Sequence, residues 1–161
     1  MKKNIYDITE KDDRNIFRVK KARPQDAALL ANLAVQMWNE HSPQELEEEF
    51  ARTMSEPHAC FFLAYIGDFA VGFAQCQLRS DYVEGTHSSP AGYLEGIYVQ
   101  SAFRHRGYAG ALLKECEKWA KDMGCREFAS DCELENTDSP GFHRAMGFRE
   151  ANRIICFVKE L

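Results

Sequence analysis

The sequence predicts one mixed α/β domain, a sandwich of helices on a sheet. Three observations carry that reading. Segments with helical apolar spacing alternate with short apolar runs, two of the middle runs are joined by a tight turn, and one long helix separates the last of them from the next strand. A chain of 161 residues is the size of one ordinary domain.

Residues 1–16 are charged and aperiodic and are expected to be a polar extension, so the domain is placed at residues 17–161. Residues 17–22 alternate and read as a first strand. Arg23-Pro24-Gln25-Asp26 supplies the proline of a helix start, and Ala27, Leu30, Leu33, Ala34 and Met37 keep helical spacing up to Trp38. Ser42 caps a second helix whose Leu46, Phe50 and Met54 share a face and which ends near Pro57. Two apolar runs, 60–66 and 70–78, flank Gly67-Asp68 and predict a hairpin. A Gly/Ser/Pro-rich loop over 80–90 leads into a strand at 93–99, and a glycine inside that strand, Gly96, marks a bulge or a close backbone approach. From Gly107, the residues Ala109, Leu112, Leu113, Cys116, Trp119, Ala120 and Met123 form a helical stripe that Gly124 ends. A strand at 128–134, a short helix at 139–146 and a final strand at 154–158 complete the order β-α-α-β-β-β-α-β-α-β.

Composition narrows the function classes. The 20 basic and 25 acidic side chains leave a net charge of −5, which argues against nucleic acid and fits a cationic small molecule. No apolar run approaches the ~20 residues that span a bilayer, so no membrane partner is expected. The start, Met1-Lys2-Lys3-Asn4, lacks the apolar stretch of a signal peptide, and the expected location is cytoplasmic. Cytoplasmic thiols stay reduced, so the six cysteines are read as core thiols, not disulfides. The five histidines form no H-x-x-x-H pair, and no metal is expected.

The chemistry begins at Arg104-His105-Arg106-Gly107-Tyr108-Ala109-Gly110, the turn that opens the long helix. Small residues let the backbone wrap tightly there, so N–H groups and the helix N-terminus converge as an anion cradle, with two forked guanidinium groups beside it. By itself such a turn is equally an ordinary strand-to-helix connection.

The strand at 93–99, the Arg104-x-x-Gly107-x-Ala109 turn, Asn136 and His143-x-x-x-Gly147-Phe148 together resemble the GCN5-related N-acetyltransferases over residues 17–161. The resemblance implies a central, mostly antiparallel twisted sheet, splayed between its fourth and fifth strands and flanked by helices on both faces, with acetyl-CoA as cosubstrate. It also implies that the pantetheine arm pairs with Ile97 and Val99, that residues 104–110 hold the pyrophosphate, and that Asn136 contacts the cofactor. His143 stands where the family often carries a tyrosine that protonates the departing thiolate; imidazole as a class is acidic enough to do so, or merely to hydrogen-bond sulfur. A plain helix-surface histidine is the competing reading.

Within that superfamily, Trp38, Tyr82-Val83-Glu84-Gly85-Thr86, Ser89-Pro90, residues 92–99 and Glu127-Phe128-Ala129-Ser130-Asp131 resemble the aminoglycoside 6′-N-acetyltransferases. By that similarity Trp38, Tyr82, Glu84, Glu95 and Asp131 line the aminosugar pocket, and a homodimer is expected in which the apolar 154–158 run pairs across the interface. A polycationic aminosugar calls for carboxylates and aromatic faces in any case. Asp131, or else Glu95, is the candidate to take the proton that an attacking ammonium must lose. The bland alternatives are a Glu95 paired with an arginine, an Asp131 bonded to backbone, a core Trp38 and a Tyr82 that only packs as a lid. Where related enzymes commonly carry an acid in the last strand region, this chain has Asn152, and Glu150 is expected to compensate from the same strand face. Catalysis is expected by direct attack in a ternary complex, with backbone N–H groups near Tyr98 polarising the thioester. A transferase for a polyamine or a peptide terminus, and a non-catalytic acetyl-CoA-binding module, are the remaining readings.

Overall fold

The structure is a computed structural model that describes residues 16–161. The expected 1–16 extension therefore lies, but for its last residue, outside the described residues. Five strands form one sheet in chain order: β1 (Phe17–Lys21), β2 (Ala59–Ile66), β3 (Phe69–Arg79), β4 (Ala91–Val99) and β5 (Phe128–Ser130). The first three pairings are antiparallel and the last, β4 with β5, is parallel. Four α-helices are described: α1 (Ala27–Ala34), α2 (Pro43–Thr53), α3 (Tyr108–Asp122) and α4 (Ser139–Ala145).

Local sequence explains most element boundaries. Ser42 accepts the Glu45 N–H at 3.2 Å while Glu45 accepts the Ser42 N–H at 2.8 Å, a reciprocal cap that starts α2 behind Pro43. The hydrogen bonds hold the Glu45 carboxyl below its usual range. Gly67 and Gly124 take left-handed backbone where the hairpin turns and where α3 stops.

The sheet is buried on both faces. One residue parity of β2, Cys60, Phe62, Ala64 and Ile66, packs with Leu112, Leu113 and Cys116 of α3. The other parity, Phe61 and Leu63, packs with Leu30 and Leu33 of α1 and with Leu46 and Phe50 of α2. This explains why β2 is an unbroken apolar run and not an alternating one.

The register between β3 and β4 shifts where Gln75 faces Gly96 and Cys76 faces Leu94, so Glu95 is the extra residue of a bulge. Before it, Leu94 belongs to the α3 face; after it, Ile97 and Val99 do. Parity thus flips at the bulge, and the consecutive residues Glu95 and Gly96 both address the α1/α2 face. The sequence expectation for Gly96 holds in both senses, because a Cβ there would also meet two Trp38 ring atoms at 2.7 Å.

Three expectations need correction. The strand expected at 128–134 stops at Ser130, and β4 pairs with it only from Gly92 to Leu94. The two strands part there, leaving β4 from Glu95 to Val99 with β3 on one edge and no strand on the other. The final strand at 154–158 does not form: residues 149–161 carry no strand and are exposed, because an apolar run becomes a strand only where another strand offers it a ladder. Finally, Cys60, Cys76, Cys116 and Cys125 are buried free thiols as expected, but Cys132 and Cys156 are exposed and are not core.

Candidate active site

The site lies where β4 and β5 part. On the α1/α2 face, Arg79 from the end of β3 reaches along the sheet to the bulged Glu95. Its Nε donates to Oε1 at 3.1 Å, and its Nη2 donates to both carboxylate oxygens at 2.9 Å. The guanidinium lies flat over Tyr93, 3.4 Å from the ring centroid. Tyr93 in turn donates its hydroxyl to Asp131 at 2.6 Å, and burial, with Asp131 as second cause, pushes that hydroxyl above the usual tyrosine range. Glu95, Arg79, Tyr93 and Asp131 form one continuous polar chain across β3, β4 and the residue after β5.

The structure links Glu95 to Asp131 through Arg79 and Tyr93, and the arginine partner weighed for Glu95 is present. Sequence reasoning missed Arg79 and Tyr93. Tyr93 carried a signal, being two residues before Glu95 on one strand; Arg79 carried none beyond its place at a strand end. Trp38 is half-buried, edge-on to Phe50 at 6.2 Å and Phe73 at 6.0 Å, with its ring against Gly96. Its ring packs against the core cluster of the α1/α2 face and against the bulged stretch of β4.

The loop after β3 is pinned at two points. Val83 is buried with Ala91 and Tyr93, and the Glu127 carboxylate accepts from the His87 N–H at 2.8 Å and from the Ser88 hydroxyl. Those two bonds, the Ser88 hydroxyl first, hold the Glu127 carboxyl below its usual range. Tyr82 is 82% exposed on this pinned loop and donates to Glu84 at 3.0 Å. Arg149 donates to the Gly85 carbonyl at 3.2 Å, and Ala151 lies against Gly85, so the 149–152 segment borders the loop.

The argument that Glu150 compensates for Asn152 from a shared strand face fails with the strand itself. Glu150 is taken by Arg153 at 2.6 Å and Arg144 at 3.2 Å, and Asn152 Oδ1 accepts the Arg153 N–H at 2.8 Å.

At the other end of the cleft, His105 (φ 61°) and Gly107 (φ 84°) both take left-handed backbone, which bends the chain sharply into α3. A Cβ on Gly107 would meet no heavy atom within 4 Å, so the space over the turn is open. The first turn of a helix carries N–H groups with no carbonyl partner inside the helix. Arg104 is tied inward, donating from Nε to the Val99 carbonyl at 2.9 Å, and Arg106 Nη2 donates to the Ala102 carbonyl at 3.2 Å. An open, left-handed turn at a helix N-terminus, facing an unpaired strand edge, fits a diphosphate bearing an extended amide arm.

Helix α4 closes the cleft. Asn136 Oδ1 accepts the Ser139 N–H at 3.2 Å and so helps start it, while Met146 sulfur comes within 3.3 Å of the Cβ position of Gly110. His143 faces inward, its Nε2 2.8 Å from Ser130 Oγ and its Nδ1 2.8 Å from the Ser139 carbonyl oxygen. The helix-surface reading of His143 is thereby replaced by a half-buried one.

A splayed sheet, a helix-N-terminal cradle beside the split and an acid-aromatic cleft across it define an acyl-coenzyme A-dependent transferase. The family model for the acetyltransferase (GNAT) family matches residues 27–148, and the chain belongs to that family. Among curated relatives, the aminoglycoside N(6′)-acetyltransferase type 1 of Stenotrophomonas maltophilia is 41% identical, with 86% of this chain and 90% of that protein covered. That of Serratia marcescens is 40% identical, with coverage of 80% and 89%. Among solved structures, AAC(6′)-Iy in complex with the bisubstrate analogue CoA-S-monomethyl-acetylneamine superposes at a TM-score of 0.86 with 34% identity, covering 90% of this chain and 99% of that one. The same enzyme in complex with CoA gives 0.87 at 34% identity, covering 90% and 95%.

Proposed function

We propose that this protein transfers the acetyl group of acetyl-CoA to the 6′-amine of aminoglycoside antibiotics, by direct attack in a ternary complex, and so confers resistance to them. The observation that carries the reading is the Glu95–Arg79–Tyr93–Asp131 chain lying beside the unpaired half of β4. It offers a polycationic sugar two carboxylates beside the half-buried Trp38 ring. The high identity to 6′-acetyltransferases over most of the chain supports the same acceptor.

In this reading Ile97, Tyr98 and Val99 hold the pantetheine arm through their backbone, and residues 104–110 hold the pyrophosphate, with Asn136 beside it. Trp38, Tyr82, Glu84, Glu95 and Asp131 receive the aminosugar, with Glu150 and Asn152 at the rim. Asp131 accepts the ammonium proton, and Tyr93 keeps its carboxylate oriented through the hydroxyl bond. No acyl-enzyme is needed. The Cys60 thiol, pushed up by its contact with Cys76 and by burial, and the Cys76 thiol, pushed up by its contact with Cys116 and by burial, remain protonated and are poor nucleophiles.

The reading includes a cytoplasmic, metal-independent homodimer with no nucleic-acid or membrane partner, in which the exposed Ile154-Ile155-Cys156-Phe157-Val158 run pairs with a second copy. Exposure of Phe157 at 92% and Val158 at 97% is the observation behind it. The test of acceptor class is steady-state acetyl transfer across kanamycin, tobramycin, spermidine and peptide amines, with the modified nitrogen located by NMR. Far greater efficiency on spermidine would overturn the aminoglycoside reading; tight cofactor binding without thiol release would overturn the enzyme.

A further inference from the structure

The His143 ring is held at both nitrogens. Nδ1 lies 2.8 Å from the Ser139 carbonyl oxygen, one turn back on α4, and 3.2 Å from the Ser139 hydroxyl. A carbonyl only accepts, so Nδ1 carries a hydrogen and donates it there. Phe142 and Phe148 stand edge-on to the ring at 5.6 Å and 5.2 Å and keep it from turning. Nε2 consequently faces the Ser130 hydroxyl at 2.8 Å, and a proton leaving Nε2 passes to Ser130 Oγ first.

Ser130 is the last residue of β5, paired with Leu94 at the point where β4 and β5 part. Its other contacts are long, 3.4 Å to the Leu94 carbonyl and 3.5 Å to the Asp131 carbonyl. Its hydroxyl is therefore free to turn toward a stronger acceptor in the split, where the proposed cofactor arm ends.

We infer that Ser130 protonates the departing thiolate, with His143 behind it as a positioning residue and proton supply; this rests on the acetyl-transfer reading above. The neutral amine attacks the thioester carbon, the carbon–sulfur bond breaks and sulfur keeps its electron pair. Ser130 gives its hydroxyl proton to sulfur while imidazolium Nε2–H gives its proton to Ser130 Oγ. The attacking nitrogen sheds its remaining surplus proton to solvent as the amide forms, and what remains is the amide, the free thiol, an intact serine and a neutral His143 with its hydrogen on Nδ1. Solvent, to which Asp131 passes on the proton shed by the substrate ammonium, restores the imidazolium. A serine hydroxyl alone is a poor acid, and the histidine behind it removes the need for a free alkoxide.

The experiment compares Ser130→Ala, Ser130→Thr, Ser130→Val, His143→Phe and the Ser130→Ala/His143→Phe double variant in acetyl transfer to kanamycin. Ser130→Ala is expected to lower kcat by about 10²-fold with little change in the KM for acetyl-CoA. Ser130→Thr should restore much of the rate, and Ser130→Val, of the same shape without the hydroxyl, should not. The double variant should be no slower than the slower single one, since two members of one relay are lost only once. Wild-type kcat in Ser130→Ala, a Val variant as fast as Thr, or multiplicative losses in the double variant would each overturn the relay. Should Ser130→Ala not fold, the Thr and Val pair decides alone. Failure of the wild-type protein to acetylate kanamycin would instead sink the functional reading on which the relay rests.

Discussion

Arg79 and Glu95 are joined through both carboxylate oxygens, and the guanidinium simultaneously covers the Tyr93 ring. The cleft thus already contains one cation of its own, held by a carboxylate whose side chain is only 20% exposed. A substrate ammonium approaching Glu95 shares that carboxylate with Arg79. Glu95→Gln keeps the shape and removes the charge, and the KM for kanamycin should rise by about tenfold, ~1.4 kcal/mol, with the KM for acetyl-CoA unchanged. Steady-state kinetics in both substrates checks this. An unmoved kanamycin KM would mean that Glu95 is wholly committed to Arg79.

Asp131 accepts the Tyr93 hydroxyl and stands one residue past the end of β5. In the proposed reaction Asp131 takes the ammonium proton, so Asp131→Asn should lower kcat by about 10²-fold at neutral pH. The loss should shrink as pH rises, because solvent then supplies the neutral amine. A pH–rate profile of variant against wild type measures this, and a constant ratio from pH 6 to roughly 9 would remove Asp131 from proton transfer.

Glu127 holds the loop that carries Tyr82 and Glu84, through the His87 N–H and the Ser88 hydroxyl, and its carboxyl lies below the usual 4.5. A carboxyl lowered on folding contributes stability above its unfolded value and loses it as pH falls through the folded one. Hydrogen exchange across residues 80–90 should therefore be pH-independent in protection near neutrality and rise once pH drops below about 4. Glu127→Gln should show the weaker protection at every pH.

Two glycines separate the two halves of the site. Gly96→Ala drives a Cβ to 2.7 Å from Trp38, and the ring must leave its place, with a stability cost of about 1–3 kcal/mol and a raised aminoglycoside KM. Gly107→Ala meets no clash but must hold φ at 84°, costing about 1–2 kcal/mol locally and raising the KM for acetyl-CoA instead. Urea unfolding with two-substrate kinetics distinguishes the pair, and a cofactor effect from Gly96→Ala alone would contradict the arrangement.

Local chemistry was legible in the amino-acid sequence. Ser42 caps α2 where read, Gly67, Gly107 and Gly124 turn the chain, and the helical stripes of α1, α2 and α3 face the sheet, because each depends on residues a few positions apart. The parting of β4 and β5 was reached only through family resemblance. Tertiary structure alone decided the rest. That Glu95 is the bulged residue depends on its register with β3, and that Arg79 meets it, Tyr93 meets Asp131 and Ser130 meets His143 depends on pairings across 16, 38 and 13 residues. The 154–158 run marks the boundary of sequence reasoning. Its apolar side chains state a preference for a ladder, but a strand is a property of two segments, and the described residues offer this one no partner within its own chain.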